Sequence, residues 1–161
     1  MSDGSADPFA RISAEAAQSP STSPASRDDK GELVSPAPED APPLPETWRG
    51  PGRPVMVWTY RDAAGRILRH TLRFEDAEGG KDIRPVTLWR AADGRLKWRF
   101  GAGGDRRPLY GLDRLAARPD AAVLMVEGEK TADAAQARFP GLVAMTWPGG
   151  SNALGKADLE S

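Results

Sequence analysis

The run Ala121-Ala-Val-Leu-Met-Val126 is apolar without interruption, and it constrains the fold more than any other stretch. A strand with one solvated face alternates polar and apolar residues. A continuous apolar run is expected of a strand covered on both faces, as in a parallel sheet. Glu127-Gly128 ends the run. Thr131–Phe139 then reads as a helix, with Thr131 as its N-cap and Asp133 in the first turn, where the helix dipole favours an acid. Pro140-Gly141 stops that helix, and Leu142–Trp147 is a second apolar strand. Pro148-Gly-Gly150 closes it, with a short helix expected from Ser151. Strand, helix, strand is a βαβ unit. Two parallel strands do not make a stable core alone, so the sequence reads as truncated and residues 119–161 as an incomplete α/β domain.

The preceding residues follow a different pattern. Val55-Met-Val-Trp-Thr-Tyr60 is a strand, Asp62-Ala-Ala-Gly65 a turn, and Ile67–Phe74 a returning strand, which is a hairpin signature. Glu78-Gly-Gly80 turns the chain into a strand over Ile83–Trp89, and Ala92-Asp-Gly94 turns it again into Leu96–Phe100. Gly101-Ala-Gly-Gly104 is a loop, and Leu112–Ala117 is a short helix stopped near Pro119. Residues 48–118 therefore read as a small antiparallel, β-rich subdomain. Residues 1–47 read as a disordered tail, since their proline-, serine- and alanine-rich composition has no apolar period and cannot offset ordering entropy. A short helix over Pro8–Gln18 is the one element conceivable there.

The net charge of −1 conceals segregation. Residues 1–48 carry three basic and nine acidic side chains, 49–118 sixteen and eight, and 119–161 three and six. The basic middle suits a polyanionic partner. There is no cysteine and one histidine, which excludes disulfides, cysteine zinc sites and histidine clusters. No apolar run approaches a membrane span, and acidic Asp3 and Asp7 stand where a signal peptide would be basic. A soluble, cytoplasmic protein with no membrane partner is expected.

The chemistry is expected at Glu127. In open α/β sheets, sites lie at the carboxyl ends of strands, and a carboxylate held there can bind a hard cation or move a proton. Gly128 permits the sharp turn into the helix. A solvent-facing acid in a strand-to-helix loop is the plainer reading of the same residues. Glu127-Gly128 after an apolar strand, followed by Lys130-Thr-Ala-Asp-Ala-Ala135, resembles the first motif of the Toprim domain. Lys81-Asp-Ile-Arg-Pro85, Arg107-Pro-Leu-Tyr-Gly-Leu112 and the strand at Val123 follow in an order that resembles the bacterial primase catalytic core. Thr146-Trp-Pro-Gly-Gly-Ser-Asn-Ala-Leu154 is similar to the second Toprim strand of phage and plasmid primase-helicase proteins.

That resemblance implies a fold and a function. The fold is α/β, with the antiparallel subdomain leading into the first βαβ part of a Toprim fold. The function is metal-dependent nucleotidyl transfer in the complete protein, a DNA primase activity on a single-stranded DNA template with ribonucleotides, and a helicase domain or subunit is a further partner. Glu127 would be the catalytic carboxylate and a partial site for Mg²⁺ or Mn²⁺. Gly128 would form the turn at the site, and Lys81, Arg84 and Lys130 would contact nucleic-acid phosphate. Trp58, Trp89 and Trp98 are candidate base-stacking residues, though strand tryptophans are more often packed. Tyr110 and Leu112 read as packing residues, and Glu129 as exposed. The resemblance also calls for an Asp-x-Asp motif after Glu127, and none occurs up to Ser161. The 161 residues alone are therefore expected to be inactive. A Toprim nuclease or topoisomerase, and a non-catalytic nucleic-acid-binding module, are the alternatives.

Overall fold

The computed structural model describes residues 31–104 and 107–149. The expectations for Pro8–Gln18 and for a helix from Ser151 fall outside them. Antiparallel pairing joins β1 (Glu32–Val34), β2 (Met56–Arg61), β3 (Ile67–Glu75), β4 (Lys81–Arg90) and β5 (Leu96–Phe100) into one sheet. Its order is β1-β4-β3-β2, with β5 also paired to β4. Local turn chemistry sets the hairpins. Asp62 Oδ1 accepts from the Ala64 and Arg66 amides at 3.0 and 2.9 Å, and Gly65 takes the left-handed conformation that completes the turn.

One face of this sheet is the main core. Leu72 and Phe74 of β3, Val86 and Leu88 of β4, and Trp98 of β5 are buried there with Trp48. The lid over this core corrects the expected extent of the tail. Residues 31–47 are structured: β1 pairs with β4 through Leu33 and Trp89, and Val34, Ala37, Ala41 and Leu44 pack on the core. Leu33, Val34 and Leu44 have no periodicity of their own, but a finished sheet offers them an apolar surface. Proline has no N–H, so a proline-rich segment lies on such a surface without burying unpaired donors. Two hydrogen bonds tie it to the sheet: the Ala37 amide donates to Ile67 O at 2.6 Å and Trp98 Nε1 to Pro42 O at 2.7 Å.

The second part contains α1 (Leu112–Ala117), β6 (Val123–Met125), α2 (Glu129–Arg138) and β7 (Val143–Met145). β6 and β7 pair in parallel, Val123 opposite Val143, so β6-α2-β7 is a βαβ unit as expected. Burial differs between its strands. Every residue of β7 is buried, whereas Val123 and Met125 of β6 are 45% and 39% exposed. Leu109, Leu112 and Leu115 cover Val143 and Met145, and this cover does not reach β6. The expectation of a strand enclosed on both faces thus fails for β6, and β7 is the enclosed strand of the pair. The start of α2 is a second correction. Its N-cap is Gly128, not Thr131, because the Gly128 amide donates to the buried Thr146 hydroxyl at 2.9 Å and the chain turns there directly into the helix.

Hydrogen bonds and aromatic packing join the parts. Tyr110 and Thr146 exchange backbone hydrogen bonds at 2.8 and 3.3 Å. Tyr60 of β2 and Tyr110 pack with ring centroids 5.2 Å apart against Ala132 of α2. No helix among the described residues is long and apolar enough to cross a membrane.

Candidate functional site

Side chains alternate across a strand, so the face of β3 opposite the core carries Arg69, Thr71 and Arg73. The register extends each into a row: Tyr60 beside Arg69, Trp58 and Pro85 flanking Thr71, and Met56 and Ile83 flanking Arg73. This polar face is the floor of a cleft of about 600 Å³. Its opposite wall is the turn from β6 into α2, with Glu127, Gly128, Glu129, Lys130 and Thr131, and Arg107 also lines it.

The turn is fixed from three sides. The Val126 amide donates to Met145 O at 2.9 Å, which holds the end of β6 on β7. Gly128 has φ 81° and ψ 154°, a conformation nearly restricted to glycine, and a Cβ there would meet nothing within 4 Å. The Tyr60 hydroxyl donates to Glu129 Oε1 at 2.7 Å, tying the first residue of α2 to the sheet. Burial, and then the charge of Glu129, hold the Tyr60 hydroxyl far above the usual tyrosine range, so it remains a donor. A parallel tie lies on the next turn of α2. Asp133 Oδ1 accepts from the Tyr110 hydroxyl at 2.9 Å and from Arg114 Nη2 at 2.7 Å. Burial, followed by the Asp133 hydrogen bond, raises the Tyr110 hydroxyl as well.

The floor carries an electrostatic imbalance. Arg69 is 4% exposed, lies 4.7 Å from the Tyr60 ring centroid and donates Nη2 to Thr71 Oγ1 at 3.1 Å. Its Nε and Nη1, and the Nε atoms of Arg73 and Arg107, are buried without a hydrogen-bond partner among the described residues. Arg73 is otherwise paired with Glu75 through Nη2. Burial lowers the Arg69 pKa, with a smaller push from the charge of Arg107 and an opposing pull from Tyr60 and Glu129.

Among the residues expected at the site, Glu127, Gly128 and Lys130 come together on one wall, with Glu127 and Lys130 bordering solvent. Lys81 and Arg84 do not line the cleft. Lys81 is exposed at the start of β4. Arg84 points to the opposite face, where it pairs with Asp82 at 2.6 Å and lies over the Phe100 ring. Trp98 is buried in the core, Trp89 donates to Thr87 Oγ1 at 2.8 Å, and Trp58 borders the cleft but is 4% exposed. Trp58 and Trp98 present no open stacking face, and Trp89 is half-buried. Glu129, expected to be exposed, is half-buried in the Tyr60 hydrogen bond. Tyr110, expected only to pack, also anchors Asp133.

Sequence reasoning does not single out Arg69, Arg73 or Tyr60, nor Arg107 as more than part of a motif. The alternation of Arg69, Thr71 and Arg73 is the signal that could have found the first two. No group of three or more His, Asp or Glu residues comes together as a metal site among the described residues. Glu127 stands at the cleft without such a group around it, so a cation there would need phosphate oxygens or further carboxylates to complete its shell. No family description, curated protein or solved structure matches this chain.

Proposed function

We propose that this chain supplies the glutamate half of a primase-like, Toprim-type site for nucleotidyl transfer on single-stranded DNA. One observation carries the reading. The Glu127-Gly128-Glu129-Lys130 turn at the end of a parallel strand faces, across one cleft, an arginine-bearing sheet face from the basic segment. A carboxylate opposite cations is the arrangement that chemistry at a phosphoryl centre requires: cations hold the phosphates and the carboxylate serves the reacting hydroxyl.

Each residue has a task in this reading. Glu127 extends from a backbone held by β7, which fixes the point from which its carboxylate reaches into the cleft. Gly128 keeps the cleft wall free of a side chain at the turn. Lys130 on the wall and Arg73 and Arg107 on the floor draw phosphate into the cleft, an attraction that weakens with salt. Glu127 would be one ligand of Mg²⁺ or Mn²⁺, and the ion would neutralise charge on bound phosphates. The Asp-x-Asp carboxylates that complete such a site would come from outside residues 1–161.

Glu127→Gln tests this in protein that contains the complete acidic set. The amide keeps the side-chain shape at a solvent-bordering position and costs little stability, within about 1 kcal/mol. Primer synthesis is expected to fall by at least ~10²-fold across a range of Mg²⁺ and Mn²⁺, with an unchanged melt. Retention of most activity would remove Glu127 from the reaction. Strand cleavage in place of synthesis would favour a Toprim nuclease, and DNA binding without either would favour a binding module.

A further inference from the structure

We propose that Arg69, with Arg107 and Arg73, forms a recessed pocket in the cleft floor for the terminal phosphoryl group of a small phosphorylated ligand. The pocket itself stands on the arginine geometry. Only the identification of that ligand as a nucleotide rests on the nucleotidyl-transfer reading.

Buried polar groups are nearly always hydrogen-bonded, and a buried charge without a counter-charge is costly. Arg69 is 4% exposed, and although the charge of Glu129 acts on it, it is in no direct ion pair with a described residue. Its one side-chain hydrogen bond goes to a neutral hydroxyl, on Thr71. Among the described residues its Nε and Nη1 stand unpartnered, and Arg107 and the Glu75-paired Arg73 each add an unpartnered Nε along the same cleft. A core position would have been filled more cheaply by an apolar residue. Guanidinium groups that line one cleft with spare N–H donors match an anion with several oxygens, because the planar fork binds phosphate oxygens in pairs.

Depth selects the kind of phosphate. A phosphodiester inside a strand is substituted on both sides and offers two free oxygens for one charge. A terminal phosphoryl group offers three oxygens and roughly −1.5 to −2 charges, and only one of its sides is attached. Arg69 is 4% exposed on the sheet face beside the Tyr60 and Thr71 rows, a depth that suits a group attached on one side better than a chain continuing on both. The cleft volume, about 600 Å³, falls in the range of small-molecule sites. Tyr60 supports the pocket: its ring lies against the Arg69 guanidinium while its hydroxyl holds Glu129. The same phenol therefore joins the anion pocket to the turn that carries Glu127.

The test uses inorganic tripolyphosphate as the ligand, with EDTA present so that no metal contributes. Sodium sulfate at equal ionic strength is the control, and an oligo(dT) without terminal phosphate supplies phosphodiesters alone. Calorimetric titration and thermal melts are run on the full chain and on Arg69→Met and Arg69→Lys. Tripolyphosphate is expected to bind saturably and to raise the melting temperature beyond the sulfate control. Arg69→Met is expected to melt no lower than wild type without ligand, yet to bind tripolyphosphate at least tenfold more weakly. Arg69→Lys, which keeps the charge but loses the fork, is also expected to weaken binding; if Arg69→Met does not fold, this variant decides. Oligo(dT) affinity is expected to change less than twofold in either variant.

No saturable tripolyphosphate binding by wild type, or undiminished binding by the folded Arg69 variants, would overturn the pocket. A parallel loss of oligo(dT) would overturn the terminal-phosphoryl assignment. None of these arms involves metal or synthesis, so their failure is separate from a failure of the Glu127 reading.

Discussion

Replacing Tyr60 by phenylalanine removes one oxygen and isolates the tie between the sheet and the site turn. The lost bond runs 2.7 Å from the hydroxyl to Glu129 Oε1 and joins residues 69 positions apart. A hydrogen bond to a charged group contributes about 1.5–3 kcal/mol. Tyr60 is fully buried, so phenylalanine fits the same space, but Glu129 is half-buried and recovers part of its loss from water. The expected cost is therefore near the lower bound, about 1–2 kcal/mol. Urea denaturation of wild type, Tyr60→Phe, Glu129→Ala and the double variant gives the coupling directly. Additive losses, with coupling below about 0.3 kcal/mol, would refute the tie.

The pH dependence gives this prediction a second arm. Burial and Glu129 raise the folded pKa of Tyr60 above its ordinary value of 10.0. The folded chain keeps a proton that the unfolded chain releases, so the contribution is complete below that value and is lost as pH rises above it. Wild type should lose more stability between about pH 9 and pH 11 than Tyr60→Phe, which retains only the similar effect at Tyr110.

His70, the only histidine, is pushed down to about 4 by burial and then by the charge of Arg61. Its neutral form is favoured by the fold, so its contribution is present above the ordinary value of 6.5 and is lost as pH falls toward 4. The loss is about 3 kcal/mol, and His70→Gln should lose that much less than wild type between pH 7 and pH 4; equal losses would contradict it. Gly128→Ala meets no neighbour but must adopt φ 81° and ψ 154°, so it should cost about 1–3 kcal/mol in a urea titration. A neutral Gly128→Ala would mean that the turn relaxes easily and does not fix Glu127.

Elements with a local cause are legible in the sequence. The hairpins follow from Asp and Gly at the turns, and the βαβ unit follows from two apolar runs around a helix. The site wall is legible for the same reason, since Glu127, Gly128 and Lys130 are neighbours in sequence. What escapes depends on distant partners. Leu33, Val34 and Leu44 look solitary until β4 and β5 provide a surface for them. Val123 and Met125 form an apolar strand whose cover does not extend that far. Arg69 reads as one more charge in a basic segment, and only the register beside Tyr60 places it on the cleft floor. Arg84 illustrates the converse: one step along β4 from Ile83 and Pro85 puts it on the other face.

If the Glu127 turn and the arginine face of β3 form one nucleic-acid site, both must respond to one ligand. Backbone amide shifts of the isotope-labelled chain, titrated with single-stranded DNA carrying a 5′-triphosphate in the presence of Mg²⁺, test this most directly. Perturbations are expected at Arg69, Thr71, Arg73 and Arg107 and at Glu127–Thr131 together, with a shared midpoint, while Lys81 and Arg84 respond weakly. Shifts centred on Lys81 and Arg84, or on the β3 face without the Glu127 turn, would contradict the account.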